Sequence, residues 1–105
     1  MVILGIDTSC DDTSLALLDE NRNILAHVIS SQADLHGRFG GVVPEIASRK
    51  HVELIDVIYN DVLREAELNA DDIDLVGVTS GPGLIGSVLV GLCFAKGFCL
   101  ARGIP

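Results

Sequence analysis

Residues 5–14 limit the fold of this chain more than any other stretch, because they are mostly polar and lie between two apolar runs. The first run covers residues 2–4 and the second covers residues 15–18. Short apolar runs bounded by Gly, Asp, Ser and Thr are typical of buried strands that meet at a turn. The pattern therefore predicts a β-hairpin with a polar tip at the start of the chain.

The polar tip carries two kinds of group that together can bind a metal-bound phosphate. Hydroxyls and backbone N–H groups donate to phosphate oxygens, whereas carboxylates hold the cation or its waters. The same residue types also form solvated turns in which they bond to their own backbone, and the sequence leaves both interpretations open. Gly5 lets a ligand approach the backbone, and the polar groups are those of Asp7, Thr8, Ser9, Asp11, Asp12, Thr13 and Ser14.

The composition indicates one globular domain and limits its partners. A chain of 105 residues with 49% hydrophobic content has no room for a second lobe. Its formal net charge of -8 argues against binding nucleic acid through the overall electrostatic field. Positive charge clusters only at Arg49 and Lys50, with Arg38 nearby.

The cysteines and the N-terminus indicate a cytoplasmic protein without a membrane span. Cys10, Cys93 and Cys99 are odd in number and show no C-x-x-C spacing, which fits a reducing compartment. Strand residues follow Met1 directly, so the N-terminus has no signal sequence pattern. An apolar run near the end of the chain is interrupted by Lys96, well short of the ~20 residues that a membrane helix needs.

The first half of the chain predicts an antiparallel meander. Residues 14–20 read as a second strand, residues 21–23 as a tight turn and residues 24–30 as a third strand. Residues 31–41 show no periodicity and end in two glycines, so we expect a loop there.

The second half predicts a helix, a parallel strand and a second helix. Pro44 is suited to open an amphipathic helix over residues 45–67. Residues 75–79 are a short apolar run of the kind that is buried in a parallel sheet. Residues 84–101 read as a helix that is apolar nearly all round, so we expect it to be buried on more than one face.

The turn between that strand and the last helix, residues 80–86, contains Gly81 and Gly83. The first N–H groups of the following helix are unpaired and lie at its positive end, where an anion can bind. The glycines can equally serve only to permit a tight corner, and the sequence leaves both interpretations open. The spacing matches neither a G-x-G-x-x-G fingerprint nor a Walker A motif.

The histidines do not predict a metal site within this chain. His27 is expected on a strand face and His51 on the surface of the first helix. With His36 they form no H-x-x-x-H pair, which is the commonest helical arrangement of zinc ligands.

Several motifs, in order and over the whole chain, resemble the N-terminal part of the TsaD family, formerly Gcp or O-sialoglycoprotein endopeptidase. They lie at residues 4–14, 31–36, 40–51, 72–74 and 79–86. The resemblance implies a ribonuclease H-like α/β fold, half of an actin-like ATPase: three antiparallel strands, a helix, a parallel strand and a helix. It also implies transfer of a threonylcarbamoyl group from threonylcarbamoyl-AMP to N6 of adenosine 37, in tRNAs that read ANN codons. The implied partners are the tRNA, a TsaB-like paralogue and a TsaE-like ATPase.

The resemblance also assigns roles to single residues. Asp11 and Asp12 match an acidic pair beside the transfer centre and are the predicted catalytic residues. Asp7 and Asp12 stand where the family commonly has glutamate, which shortens each side chain by one methylene. Arg49, Lys50 and His51 match a helix start that faces tRNA or a partner, and they could also form a solvated helix face. The residues predicted to bind threonylcarbamoyl-AMP or ATP are Asp7, Thr8, Ser9, Thr13, Gly81 and Gly83.

We therefore interpret residues 1–105 as the N-terminal subdomain of a longer, two-lobed enzyme. The resemblance places the ligands of its divalent metal, Fe or Zn, beyond residue 105. We expect the subdomain alone to be inactive, to bind no stoichiometric metal, and to self-associate through helix faces at residues 46–66 or 84–101. Two alternatives stay open: a non-catalytic TsaB-like scaffold, and a small-molecule kinase of the same superfamily.

Overall fold

The computed structural model of the chain describes residues 1–32 and 40–105. The elements are β1 (Val2–Asp7), β2 (Asp12–Asp19), β3 (Ile24–Ser31), α1 (Pro44–Ala66), a 3-10 turn (Ala70–Asp72), β4 (Leu75–Val78) and α2 (Ile85–Arg102). The strands pair in the order β3-β2-β1-β4, with β1 antiparallel to β2 and parallel to β4. This mixed sheet and the two helices confirm the predicted α/β fold.

The first two strands extend into the stretch that the sequence predicted to be a polar tip. Asp7 pairs with Ser14 at the end of the β1–β2 ladder, and Asp12 and Thr13 still pair with β3, so the connection between the two strands shrinks to residues 8–11. The prediction of a ten-residue tip was wrong, because the ladder needs only backbone N–H and C=O groups and tolerates polar side chains at its end. Most of the predicted loop at residues 31–41 lies outside the described residues, including His36 and Arg38.

Both helices pack on one face of the sheet. Helix α1 lies on β2 and β3, and α2 lies on β1 and β4 and against α1. Three aromatic rings fill the seam between the helices, with Tyr59 at 5.5 Å from Phe94 and 5.7 Å from Phe98 between ring centroids. The core between the helices and the sheet consists of the buried apolar residues Leu4, Ile6, Leu15, Leu17, Ala26, Ile55, Ile58, Val62, Ile73 and Ala95.

Helix α2 differs from its prediction, since it is buried on one face only. Its buried residues are small, namely Ser87, Val88, Gly91 and Ala95, and small residues let a helix approach a sheet closely. The outer face is apolar but exposed: Ile85 is 81% exposed and Leu100 is 86% exposed. The helix is therefore apolar on all sides but buried on only one of them.

By length and composition, α2 is the one helix in the described part of the chain that could cross a membrane. Core helices of soluble proteins pass the same test. It contacts β1, β4 and α1 through one face, and most of its residues are not buried.

Candidate functional site around the β1–β2 loop

The β1–β2 loop, residues 8–11, lies at the end of the sheet where β1 and β4 both finish. Thr8, its first residue, is 1% exposed, and its hydroxyl donates to the C=O of Ser87 at 2.6 Å. The same oxygen accepts the N–H of Gly91 at 3.0 Å. Ser87 and Gly91 are four residues apart, so Thr8 inserts into the hydrogen-bond ladder of α2 and fixes the start of the loop to this helix.

The other side of the loop is fixed to α1 through His51. This residue is 0% exposed, so the prediction of a helix-surface histidine was wrong. Its Nδ1 lies 2.8 Å from the hydroxyl of Thr13, and its Nε2 lies 2.8 Å from the C=O of Cys10. A buried histidine is stable when both ring nitrogens have partners, and here the partners come from the loop and from β2.

The glycine turn before α2, residues 80–86, contacts the same loop. The C=O of Ser9 accepts the N–H of Leu84, the residue before α2, at 2.8 Å. A Cβ atom on Gly83 would lie 2.5 Å from that carbonyl oxygen and 2.8 Å from the Ser9 Cβ, so only glycine fits without movement. In the sequence analysis the polar β1–β2 stretch and the glycine turn were interpreted separately, whereas in the structure they lie in contact.

The structure separates the predicted phosphate contacts into two groups. The hydroxyls of Thr8 and Thr13 lie in the interior and already have hydrogen-bond partners. Asp7, Gly81 and Gly83 are exposed and Ser9 is half-buried, so these four can meet a ligand. Asp7 also accepts the N–H of Ser9 at 2.8 Å, which is a bond inside the loop of the kind that the turn interpretation predicted.

The two predicted catalytic carboxylates, Asp11 and Asp12, are half-buried at the end of the loop. The backbone of Asp11 is held as well, because its C=O accepts the N–H of Gln32 at 3.0 Å. An open groove of about 350 Å³ lies on the sheet face that the helices leave uncovered, and neither Asp11 nor Asp12 is among its lining residues. Its polar lining comes from Asp7, Ser14 and Thr79.

Cys10 lies between these groups but is not an activated nucleophile. Partial desolvation raises the pKa of its thiol, and the charge of the neighbouring Asp11 raises it further. A thiol with a raised pKa stays protonated, whereas reactive cysteines have a lowered pKa. The raised pKa therefore argues against Cys10 as the nucleophile of this loop.

The remaining candidate residues lie outside the loop. Arg49 pairs with Glu45 and Lys50 pairs with Glu53 on the exposed side of α1, with N–O distances of 2.6 and 3.2 Å. His27 lies exposed on β3, as predicted, with its Nε2 2.9 Å from the Ser14 hydroxyl. Within residues 1–32 and 40–105, no three His, Cys, Asp or Glu side chains converge to hold a metal ion.

The fold matches solved structures over its full length. YeaZ from Pseudomonas aeruginosa superposes with a TM-score of 0.72 at 24% identity, covering all of this chain and 42% of that one. A second structure, titled as an uncharacterized protein with similarity to peptidase YEAZ from the same organism, gives a TM-score of 0.76. The sheet order, the paired helices and the loop at the strand ends define an N-terminal half of the ribonuclease H-like, actin-like class.

The sequence comparisons then identify the family. The family profile described as TsaD, tRNA N6-adenosine threonylcarbamoyltransferase, matches residues 23–105, and the chain belongs to this family. A relative of that name from Thermodesulfovibrio yellowstonii is 61% identical over 105 residues. One from Caldicellulosiruptor saccharolyticus is 53% identical over the same length. The chain spans about 31% of the length of each of these two relatives.

Proposed function

We propose that residues 1–105 form the N-terminal part of an enzyme that moves a threonylcarbamoyl group from threonylcarbamoyl-AMP to N6 of adenosine 37 in tRNAs reading ANN codons. The observation that carries the proposal is the 61% identity, over all of this chain, to a relative named tRNA N6-adenosine threonylcarbamoyltransferase. We call the protein that contains residues 1–105 and extends over the full length of the family members the full-length enzyme.

The reaction requires a proton acceptor beside the adenine amine. The N6 nitrogen attacks the carbamoyl carbon, a new C–N bond forms, and the C–O bond to the phosphate breaks as AMP leaves with the electron pair. The N6 nitrogen loses a proton in this step. We propose that Asp11 or Asp12 accepts it, because both residues are half-buried where the loop enters β2, and the loop backbone is held from two sides.

The nucleotide would lie against the exposed part of the same loop. We propose that Asp7, Ser9, Gly81 and Gly83 contact its phosphate or the waters around it. The N–H groups in the first turn of α2 add a positive helix terminus next to Ser9. The interior hydroxyls of Thr8 and Thr13 would shape the loop instead of contacting the ligand, because their hydrogen bonds go to α2 and α1.

The described residues do not fit a metal site. They bring no three metal-ligating side chains together, so no step above depends on metal bound by this part of the enzyme. The expectation that Fe or Zn is held by ligands beyond residue 105 stays a proposal, as does the expectation that residues 1–105 alone bind no stoichiometric metal and are inactive.

The partners follow from the family in the same way. We propose that the full-length enzyme is cytoplasmic and acts on tRNA together with a TsaB-like paralogue and a TsaE-like ATPase. The alternative of a non-catalytic scaffold is less well supported, since YeaZ shares the fold at 24% identity whereas the named transferases reach 61%. No described feature favours the alternative of a small-molecule kinase.

We also propose that residues 1–105, prepared alone, self-associate. The outer face of α2 carries Ile85, Leu89 and Leu100, which are 81%, 48% and 86% exposed. Exposed apolar patches favour association. Light scattering at micromolar concentration should give a mass above one chain of 11.1 kDa, and Leu100→Glu should lower it. A single-chain mass that does not change with concentration would contradict the proposal.

The transfer activity is tested by product analysis. The full-length enzyme is incubated with threonylcarbamoyl-AMP and tRNA that lacks the modification, in the presence of its proposed protein partners. The tRNA is then digested to nucleosides and analysed by mass spectrometry, with the Thermodesulfovibrio yellowstonii relative as a positive control. We expect N6-threonylcarbamoyladenosine. Unmodified adenosine alone, under conditions in which the relative gives product, would refute the proposed function.

A further inference from the structure

His51 has a hydrogen-bond arrangement that fixes both its tautomer and its orientation. The C=O of Cys10 can only accept, so the Nε2 atom at 2.8 Å must carry the proton. The Nδ1 atom then accepts, and the hydroxyl of Thr13 donates to it across 2.8 Å. Both partners of the ring are thus determined, and the ring cannot flip without losing both bonds.

These two bonds act on the part of the loop that carries the carboxylates. Cys10 directly precedes Asp11, so the position of its C=O sets the peptide plane that leads into Asp11, and Asp12 follows as the next residue. Helix α1 holds the same segment by a second route, because Gln32 donates its backbone N–H to Asp11 and its side-chain amide to the C=O of Ala47 at 3.4 Å.

His51 cannot itself take part in the chemistry as the structure stands. Its side chain is 0% exposed, and Thr13, its hydrogen-bond partner, is 0% exposed too. A group without access to substrate can influence a reaction only through the groups that it holds in place. The role that remains is that of a positioning residue.

We propose that His51, oriented by Thr13, is a positioning residue that holds the Cys10 carbonyl and thereby sets the Asp11 and Asp12 carboxylates for proton transfer. The proposal rests on the proposed function. In this proposal the bond from Nε2 to the Cys10 carbonyl holds the loop, and the bond from the Thr13 hydroxyl to Nδ1 holds the ring in the orientation that this requires. A misplacement of about 1 Å in a reacting group can lower a rate by about 10²-fold, so the effect is large enough to measure.

Two substitutions of His51 separate these bonds. The amide nitrogen of glutamine reaches the position of Nε2, so His51→Gln keeps a donor for Cys10. The amide oxygen of asparagine reaches the position of Nδ1, so His51→Asn keeps an acceptor for Thr13 and loses the bond to the loop. Both variants place a neutral amide in the same buried site, and each is therefore the matched control of the other.

The first measurement is steady-state transfer by the full-length enzyme. We expect His51→Asn to lower kcat by about 10²-fold with little change in KM, and His51→Gln to restore most of the rate. Apparent Tm values of the two variants, measured in parallel, show whether stability differs. If both variants lose kcat equally, or if the variant with the lower Tm is also the one with the lower kcat to a matching degree, the proposal is overturned and His51 is a packing residue.

The second measurement does not depend on activity. Hydrogen exchange followed by mass spectrometry should show faster exchange at the peptide that covers residues 8–12 in His51→Asn, by about tenfold, and not in His51→Gln. Unchanged exchange there would also overturn the proposal. If the wild-type enzyme gives no product, the proposed function fails, and the exchange comparison still decides whether His51 holds the loop.

Discussion

The two connections of the β1-β2-β3 meander are both short, but they are held in different ways. The turn between β2 and β3 is organised by Asp19, whose carboxylate accepts the N–H groups of Asn21 and Asn23 at 2.9 Å each. The backbone closes the same turn, with the N–H of Arg22 donating to the C=O of Asp19. All of these bonds span four residues or fewer.

The β1–β2 loop is held by residues far away in the sequence. Thr8 bonds to Ser87 and Gly91, and Cys10 bonds to His51, across separations of 79, 83 and 41 residues. A turn closed by local bonds needs only its own sequence, whereas a loop closed by distant bonds exists only in the folded domain. The comparison indicates that the loop with the candidate site is the one whose geometry the two helices determine.

The largest expected effect on stability comes from breaking the contact of the β1–β2 loop with α2. In Gly91→Ala the new methyl would lie 2.6 Å from the Thr8 oxygen and 3.3 Å from Ile6. We expect a loss of about 1–3 kcal/mol in the free energy of unfolding of the full-length enzyme, measured in urea.

The same helix provides a control for that prediction. A methyl at Gly97 would have no neighbour within 4 Å, so Gly97→Ala should stabilise the protein by about 0.5–1 kcal/mol. Combining Gly91→Ala with Thr8→Ala should recover part of the loss, since the clashing hydroxyl is then absent. Strict additivity of these two changes would show that the contact with Thr8 is not the cause.

A smaller effect is expected at the β2–β3 turn, and it should depend on pH. Hydrogen bonds from the side chain and backbone of Asn23 lower the pKa of Asp19 below its ordinary value of 3.8. A lowered pKa in the folded state stabilises the protein above pH 3.8, and this stabilisation disappears as the pH falls through the folded pKa. Asp19→Ala should therefore lower Tm at neutral pH.

The test is the difference in Tm between the wild type and Asp19→Ala, followed from neutral pH down to about pH 3. The difference should be constant at neutral pH and shrink below the ordinary pKa of aspartate. A difference that stays constant over the whole range would mean that the charge of Asp19 does not hold the turn.

The sequence was sufficient to predict the parts of the fold that depend on local patterns. Alternating and continuous apolar runs located four strands and two helices, and Pro44 marked the start of α1 as the structure has it. The β2–β3 turn was found from Asn21, Arg22 and Asn23 alone. In each case the residues that determine the structure are neighbours in the chain.

The contacts of the candidate site could not be predicted in this way. His51 was placed on the helix surface, although it lies on the same face as Ile55, Ile58 and Val62, which are buried. That spacing was the available signal, and it was missed because histidine is polar. The partner in the loop cannot be read from a helical pattern, because it depends on how α1 lies on the sheet.

The exposed outer face of α2 was missed for a related reason. Its apolar residues occur all round the helix, so periodicity cannot show which side packs on the sheet. The small residues did carry a signal, since Ser87, Gly91 and Ala95 recur at intervals of four and form the buried face.

We propose that the β1–β2 connection carries the proton acceptor of a transferase at Asp11 or Asp12, whereas the β2–β3 turn is structural only. The most direct test compares steady-state transfer rates of the full-length enzyme with Asp11→Ala, Asp12→Ala and Asp19→Ala, one carboxylate removed in each. We expect the first two changes to lower kcat by about 10²–10⁴-fold and Asp19→Ala to leave it within about twofold of the wild type. If the rates for Asp11→Ala and Asp12→Ala both match the wild type within about twofold, neither residue is the proton acceptor.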